Sequence, residues 1–166
     1  MSWPDRRRAV ALLAAAAATG GCGFRPLYGE AGGGDLLGQV EAVGLKGRSG
    51  YHFGEQLRRR VGRPEPDAAL QLRAALTFDR EGLAISATDD VTRYDVIGTA
   101  RYTLARRRDG AVVAEGTVTS ITAYSTTATP YATEVARRDA ERRLAVDLAD
   151  RVFARIAALD PSTRDL

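Results

Sequence analysis

The 166-residue sequence has one cysteine, Cys22, one histidine, His52, and one lysine, Lys46. A lone thiol has no partner for an intrachain disulfide. One histidine with no second thiol leaves almost no material for a metal site or for a Ser/Cys–His nucleophile pair. The longest apolar stretch, 9–18, is about half of the roughly 20 residues a membrane-spanning helix needs. Charge of one sign is not in large excess either, since the formal net charge is +3. Discounting Arg6, Arg7, Arg8 and Asp5 at the N-terminus lowers it to +1. Nucleic-acid binding therefore has no support from charge. Of the 24 basic residues all but Lys46 are arginine, and with so much alanine and glycine this reads as a GC-rich genome rather than a guanidinium-specific function.

The N-terminus is the most informative stretch. Three arginines, 6–8, precede the short alanine-rich run, and Thr19-Gly20-Gly21-Cys22 follows it. A positive segment, an apolar segment and small residues before a break are the marks of a secretory signal peptide. Two small residues directly before a cysteine resemble the lipobox of bacterial lipoproteins. There the thiol receives a diacylglycerol, the peptide is cut before the cysteine, and the new amino group is acylated. Thr19 departs from the usual Leu or Val. The alternatives for Cys22 are a buried structural thiol or a free one. One acyl chain holds only marginally, at about 0.8 kcal/mol per buried CH₂, whereas three chains make release negligible. Gly23, in place of an Asp that tends to retain such proteins in the inner membrane, suggests export to the outer membrane. The expected organisation is a signal peptide over 1–21, a lipidated N-terminus and tether over 22–34, a domain over 35–160 and a tail over 161–166.

In the tether, Phe24, Leu27 and Tyr28 are more apolar than a spacer needs and are expected to pack on the domain or on a partner. A first strand is expected over 39–45, and a break over 47–50. Ser49 is expected to cap a helix over 51–61, with Phe53, Leu57 and Val61 on one face. Arg58-Arg59-Arg60 in its last turn suits the helix dipole; an anionic-ligand patch is the other reading. Leu70, Leu72, Ala74, Leu76 and Phe78 alternate as in a half-buried strand, and Arg80-Glu81-Gly82 reads as a turn. Asp89-Asp90 is expected to be a solvated bulge or loop rather than a carboxylate dyad, because neighbours on a strand point to opposite faces.

A long strand is expected over 91–105, with Tyr94, Val96, Gly98, Ala100, Tyr102 and Leu104 on one face. Asp109-Gly110 marks a two-residue hairpin, and 112–123 returns. Arg106, Arg107 and Arg108 at its tip read as a solvated end, or as guanidiniums that bind phosphate bidentately. After a hydroxyl-rich link, Thr129-Pro130 opens one long helix to Leu159. Its apolar stripe is Val135, Ala140, Leu144, Leu148, Val152, Ile156 and Leu159. Glu134–Arg138, Asp139–Arg143 and Asp147–Arg151 are i,i+4 pairs that support its surface. Asp160-Pro161 ends it. The order β-α-β-β-β-α predicts an α+β two-layer sandwich: a four-stranded, mainly antiparallel or mixed sheet with two helices packed on one face.

Cys22-Gly-Phe-Arg-Pro-Leu-Tyr28 resembles the mature start of the LptE family of lipopolysaccharide-assembly lipoproteins. Further resemblance lies around Tyr94, in Pro130-Tyr131-Ala132 and in Arg138-Asp139-Ala140-Glu141, and the element order agrees over the whole mature chain. The resemblance implies an outer-membrane lipoprotein, anchored by Cys22, that plugs the lumen of the barrel protein LptD and helps place lipopolysaccharide in the outer leaflet. It implies no catalysis, no cofactor and no metal. It also places a basic residue before the Asp-Ala pair of the last helix in contact with lipid, a position held here by Arg138, with Arg137 beside it. Arg106, Arg107 and Arg108 are added as candidate phosphate contacts. The competing classes are another outer-membrane lipoprotein of envelope biogenesis, such as a barrel-assembly accessory or a lipoprotein carrier, and a periplasmic hydrolase.

Overall fold

A computed structural model describes residues 34–85, 91–127 and 129–164. Cys22, its leader, the tether up to residue 33 and Asp89-Asp90 lie outside the described residues. A 3₁₀ turn, Gly34–Leu36, precedes β1, Val40–Val43. Helix α1, Gly47–Val61, crosses over to β2, Leu70–Ile85. Strands β3, Val91–Arg106, and β4, Val112–Ser125, follow, then helix α2, Pro130–Ala157, and a single helical turn α3, Pro161–Arg164. The sheet order is β1-β2-β3-β4. β1 runs parallel to β2, with Val40 opposite Leu70, while β2/β3 and β3/β4 are antiparallel. A parallel pair needs a crossover, and α1 supplies it. The expected α+β two-layer fold with a four-stranded mixed sheet and two helices is therefore observed.

The register sorts the even-numbered residues of the three long strands onto one face. Leu70, Leu72, Ala100, Tyr102, Leu104 and Val118 are buried there against Phe53, Leu57 and Val61 of α1 and Leu148, Val152, Phe153 and Ile156 of α2. Each of the buried Leu, Val, Ile and Phe side chains contributes about 1.5–3 kcal/mol by leaving water. A second cluster, Val96, Tyr124, Ala140 and Leu144, fills the end of the sheet under the start of α2. There Tyr94 and Tyr124 stack with centroids 5.4 Å apart. Helix α2 lies close because β3 carries Gly98 beneath it: a Cβ there would stand 3.1 Å from Leu148 Cδ1 and 3.2 Å from Leu144 Cβ. The odd-numbered face, including Arg73, Thr77, Arg101, Thr117, Thr119 and Ile121, is left exposed.

Several local expectations are corrected. β1 is shorter than 39–45, because Gly44 and Leu45 already lead away from the sheet. Gly47 and Gly50 do not break the chain. The helix begins at Gly47, and Ser49 sits in its first turn; the N-cap is Lys46, with no side-chain cap bond. Gly50 is small because the helix rests on Leu45, whose backbone carbon would lie 3.1 Å from a Cβ at that position. Arg80-Glu81-Gly82 is not a turn. β2 runs straight through it, with Arg80 opposite Val96 and Gly82 opposite Tyr94, and an irregularity follows at Gly82–Ala84. The β3–β4 hairpin closes over four residues, not two: Arg106 N–H donates to Ala111 O and Gly110 N–H to Arg106 O, each at 2.9 Å. Asp109 instead caps this turn, its Oδ1 accepting from Ala111 N–H at 2.9 Å. Tyr124 and Ser125 belong to β4 rather than to the link. Thr129 caps α2, with Pro130 in the first position. The buried stripe of α2 is as expected except at its two ends: Val135 is 47% exposed, and the helix stops at Ala157, so Leu159 lies beyond it and is half-buried.

Candidate functional site

The arginines singled out from the sequence fall into two groups at opposite ends of the sheet. Arg106, Arg107 and Arg108 lie at the β3–β4 tip, beside the start of β2, where Leu70 pairs with Arg106. Arg138 lies in the third turn of α2, near the other end, where Arg93 pairs with Ser125 just before the helix begins. From Arg93 to Arg106 the strand spans roughly 40 Å at about 3.3 Å per residue. One headgroup does not reach both groups.

At the tip, the three arginines and residues 66–69 surround one depression. The backbone holds it in place: Arg107 N–H donates to Ala69 O at 2.9 Å. Arg107 Nη1 also lies 3.4 Å from both Glu41 Oε2 and Ala68 O, which ties the tip to β1 and to the turn before β2. Asp109 sits between Arg106 and Arg108, with each Nε 3.6 Å from one of its oxygens. The hydrogen bond from Ala111 N–H, aided by the two guanidiniums, holds its carboxyl below the usual range despite some desolvation. Arg108 is the most exposed of the three, with 63% of its side chain open to solvent.

On α2 almost every charge has a partner. Arg137 clamps Glu134 side-on, through Nε at 2.7 Å and Nη2 at 2.6 Å, and reaches Glu141 with Nη1. Arg138 Nε shares Glu134 Oε1 at 2.6 Å. Arg142 and Arg143 share Asp139 at 2.6 and 3.1 Å, and Arg151 pairs with Asp147 at 2.7 Å. The three i,i+4 pairs read from the sequence are all present. Hydrogen bonds from Arg137 and then Arg138 hold the Glu134 carboxyl at about 2, and the same contacts push the Arg137 guanidinium up. Arg138 and the exposed Tyr131 and Val135 lie on neighbouring outward rows of the helix.

A tie between the helices was not legible in the sequence. Asp150 Oδ1 accepts from Gln56 Nε2 at 2.8 Å and from Arg60 Nε at 2.7 Å. Burial acts to raise the Asp150 carboxyl, but these two hydrogen bonds and the Arg60 charge outweigh it and hold the group below its usual range. The Arg58–60 run is thus partly structural, with Arg60 on Asp150 and Arg58 on Glu55. His52 stacks edge-on against Tyr51, centroids 5.5 Å apart. Among the described residues no group of three or more His, Cys, Asp or Glu side chains gathers to hold a metal ion. No helix among them is long and apolar enough to cross a membrane.

Fold and surface together define a small α+β domain with a filled core, a polar open sheet face and an arginine-rich, carboxylate-paired exterior. Solved structures of the same fold come from several bacteria. A Caulobacter crescentus CB15 protein described as a lipoprotein matches with a TM-score of 0.61 and 24% identity, over 74% of this chain and 90% of its own. Rare lipoprotein B of Shewanella oneidensis matches at 0.54 and 16%, over 72% and 92%. A minor lipoprotein of Acinetobacter baumannii matches at 0.54 and 18%, over 72% and 88%. No curated protein sequence matches the chain. The family model for lipopolysaccharide assembly, LptE, matches residues 39–156, and the chain belongs to that family.

Proposed function

We propose that this protein is an outer-membrane lipoprotein, acylated at Cys22 after removal of residues 1–21, that forms a complex with the barrel protein LptD and helps insert lipopolysaccharide at the cell surface. The observation that carries this reading is the family match over 39–156. The lipobox-like Thr19-Gly20-Gly21-Cys22 immediately upstream adds the anchor. The role is a plug and a lipid contact, with no bond made or broken and no cofactor. The open sheet face suits a water-lined barrel wall, because Arg73, Thr77, Arg101, Thr117 and Thr119 present charge and hydroxyls around the exposed Ile121. Arg138, and separately Arg106, Arg107 and Arg108, meet lipid phosphates; guanidinium forks match phosphate oxygens. Because the two groups lie at opposite ends of the sheet, they serve different molecules or different stages of transfer.

Co-purification in mild detergent tests the reading. The intact protein is expected to bring down LptD. Recovery without LptD, or with a barrel-assembly or lipoprotein-carrier complex in its place, would overturn it.

A further inference from the structure

The two adjacent arginines of α2 are not equivalent. Arg137 has both edges of its guanidinium on carboxylates, Glu134 on one side and Glu141 on the other, and its side chain is only 28% exposed. Arg138 gives Glu134 its Nε alone. Its two terminal nitrogens have no protein partner among the described residues, and the side chain is 49% exposed. Arg138 is therefore the one with donors to offer an anion, and Arg137 is the bridge that fixes the carboxylate.

That carboxylate is itself an anion at the guanidinium. Resting on the reading that Arg138 meets lipid phosphate, we propose that Glu134 is an internal competitor that weakens phosphate binding at Arg138 and so sets how readily the lipid is released. The geometry supports this in two ways. Glu134 Oε1 is 2.6 Å from Arg138 Nε, so a phosphate held by the terminal nitrogens stands within about 5–6 Å of a negative charge. Coulomb repulsion at that range, in a solvent-exposed setting at low salt, weakens binding roughly three- to tenfold. The contact is to Nε alone, so a phosphate can take the terminal nitrogens without displacing Glu134, and attraction and repulsion act together. Glu134 stays ionised at every physiological pH, with its carboxyl held at about 2 by Arg137 and Arg138. The brake is thus permanent rather than switched. A component that passes lipid onward has use for such a brake, because tight capture would stall transfer.

The test uses the full chain in an uncharged detergent, with intact and dephosphorylated lipopolysaccharide as probes. Glu134→Gln, Arg138→Ala, their double variant and Asp147→Asn are compared after melting curves confirm folding. Asp147 pairs with Arg151 farther along the same helix and controls for net charge. The proposal expects Glu134→Gln to bind intact lipid roughly three- to tenfold more tightly, and expects the gain to vanish in the double variant and with dephosphorylated lipid. If Arg138→Ala weakens binding but Glu134→Gln leaves it unchanged or weaker, the competitor is refuted and the lipid-contact reading stands. A gain as large from Asp147→Asn refutes it too. If Arg138→Ala has no effect, the reading beneath it fails as well.

Discussion

Adding a side chain under α2 tests how closely the two layers are fitted. At Gly98 two effects oppose each other. Replacing glycine in a strand interior favours the folded state by about 0.5–1 kcal/mol. The new Cβ, however, would meet Leu148 Cδ1 at 3.1 Å and Leu144 Cβ at 3.2 Å. Leu148 can yield by rotation. Leu144 Cβ is fixed to the helix backbone, so α2 must lift by a few tenths of an ångström. Overpacking of this kind costs about 1–3 kcal/mol. Gly98→Ala is therefore expected to be net destabilising by about 0–2.5 kcal/mol, and Gly98→Val by more. Leu148→Ala alone opens a cavity at a fully buried site and costs about 2–5 kcal/mol. In Gly98→Val/Leu148→Ala the added methyls occupy part of the emptied space, so the double variant should be more stable than the sum by about 0.5–3 kcal/mol. Urea denaturation of the full chain in uncharged detergent, followed by far-ultraviolet circular dichroism, reads all four. Strict additivity, or a stabilised Gly98→Val, would refute this packing.

The remaining predictions concern charges and a cap. Asp150→Asn should cost on the order of 1 kcal/mol at neutral pH, after allowance for partial solvent screening. Because the folded Asp150 carboxyl is depressed, its contribution is fully present above the unfolded value near about 4 and is lost as pH falls through the folded one. The gap between wild type and variant should therefore close in acid, and a gap that widens there would contradict the tie to Arg60 and Gln56. Thr129→Ala removes an acceptor 3.4 Å from Ala132 N–H; it should cost about 0.5 kcal/mol, the low end for a cap, read as a small drop in melting temperature. Arg108→Glu should weaken lipopolysaccharide binding more at low salt than at high salt, and salt-independent binding equal to wild type would remove the hairpin tip from the lipid path.

The parts of this fold that were legible in the sequence are those set by local periodicity. The two faces of β3, the α2 stripe from Ala140 to Ile156 and the three i,i+4 ion pairs depend on spacing alone. The parts that were not legible depend on what lies across the chain. Arg80-Glu81-Gly82 carries turn residues, yet β3 extends far enough to pair with all three, and ladder bonds override local preference. Gly47 and Gly50 read as a break because glycine disfavours helix; close approach to Leu45 makes a small residue necessary at Gly50, and a φ of 71° favours glycine at 47. Val135 was assigned to the buried stripe, but it shares a row with Asp139 and Arg142, while Ala136 takes the inward position. The Asp150 tie joins residues about ninety positions apart, a distance no local pattern spans. Of the candidate site, residue type suggested the arginines, but only the structure separates the hairpin tip from Arg138 and distinguishes Arg138 from Arg137.

Mass spectrometry of the intact protein, isolated from membranes with its bound partners, tests the central claim most directly. The account predicts a mature chain beginning at Cys22, heavier by a diacylglyceryl group and an amide-linked acyl chain, in stoichiometric complex with LptD. A chain that retains residues 1–21, or one that begins at Cys22 without fatty acids and without the barrel, would contradict it.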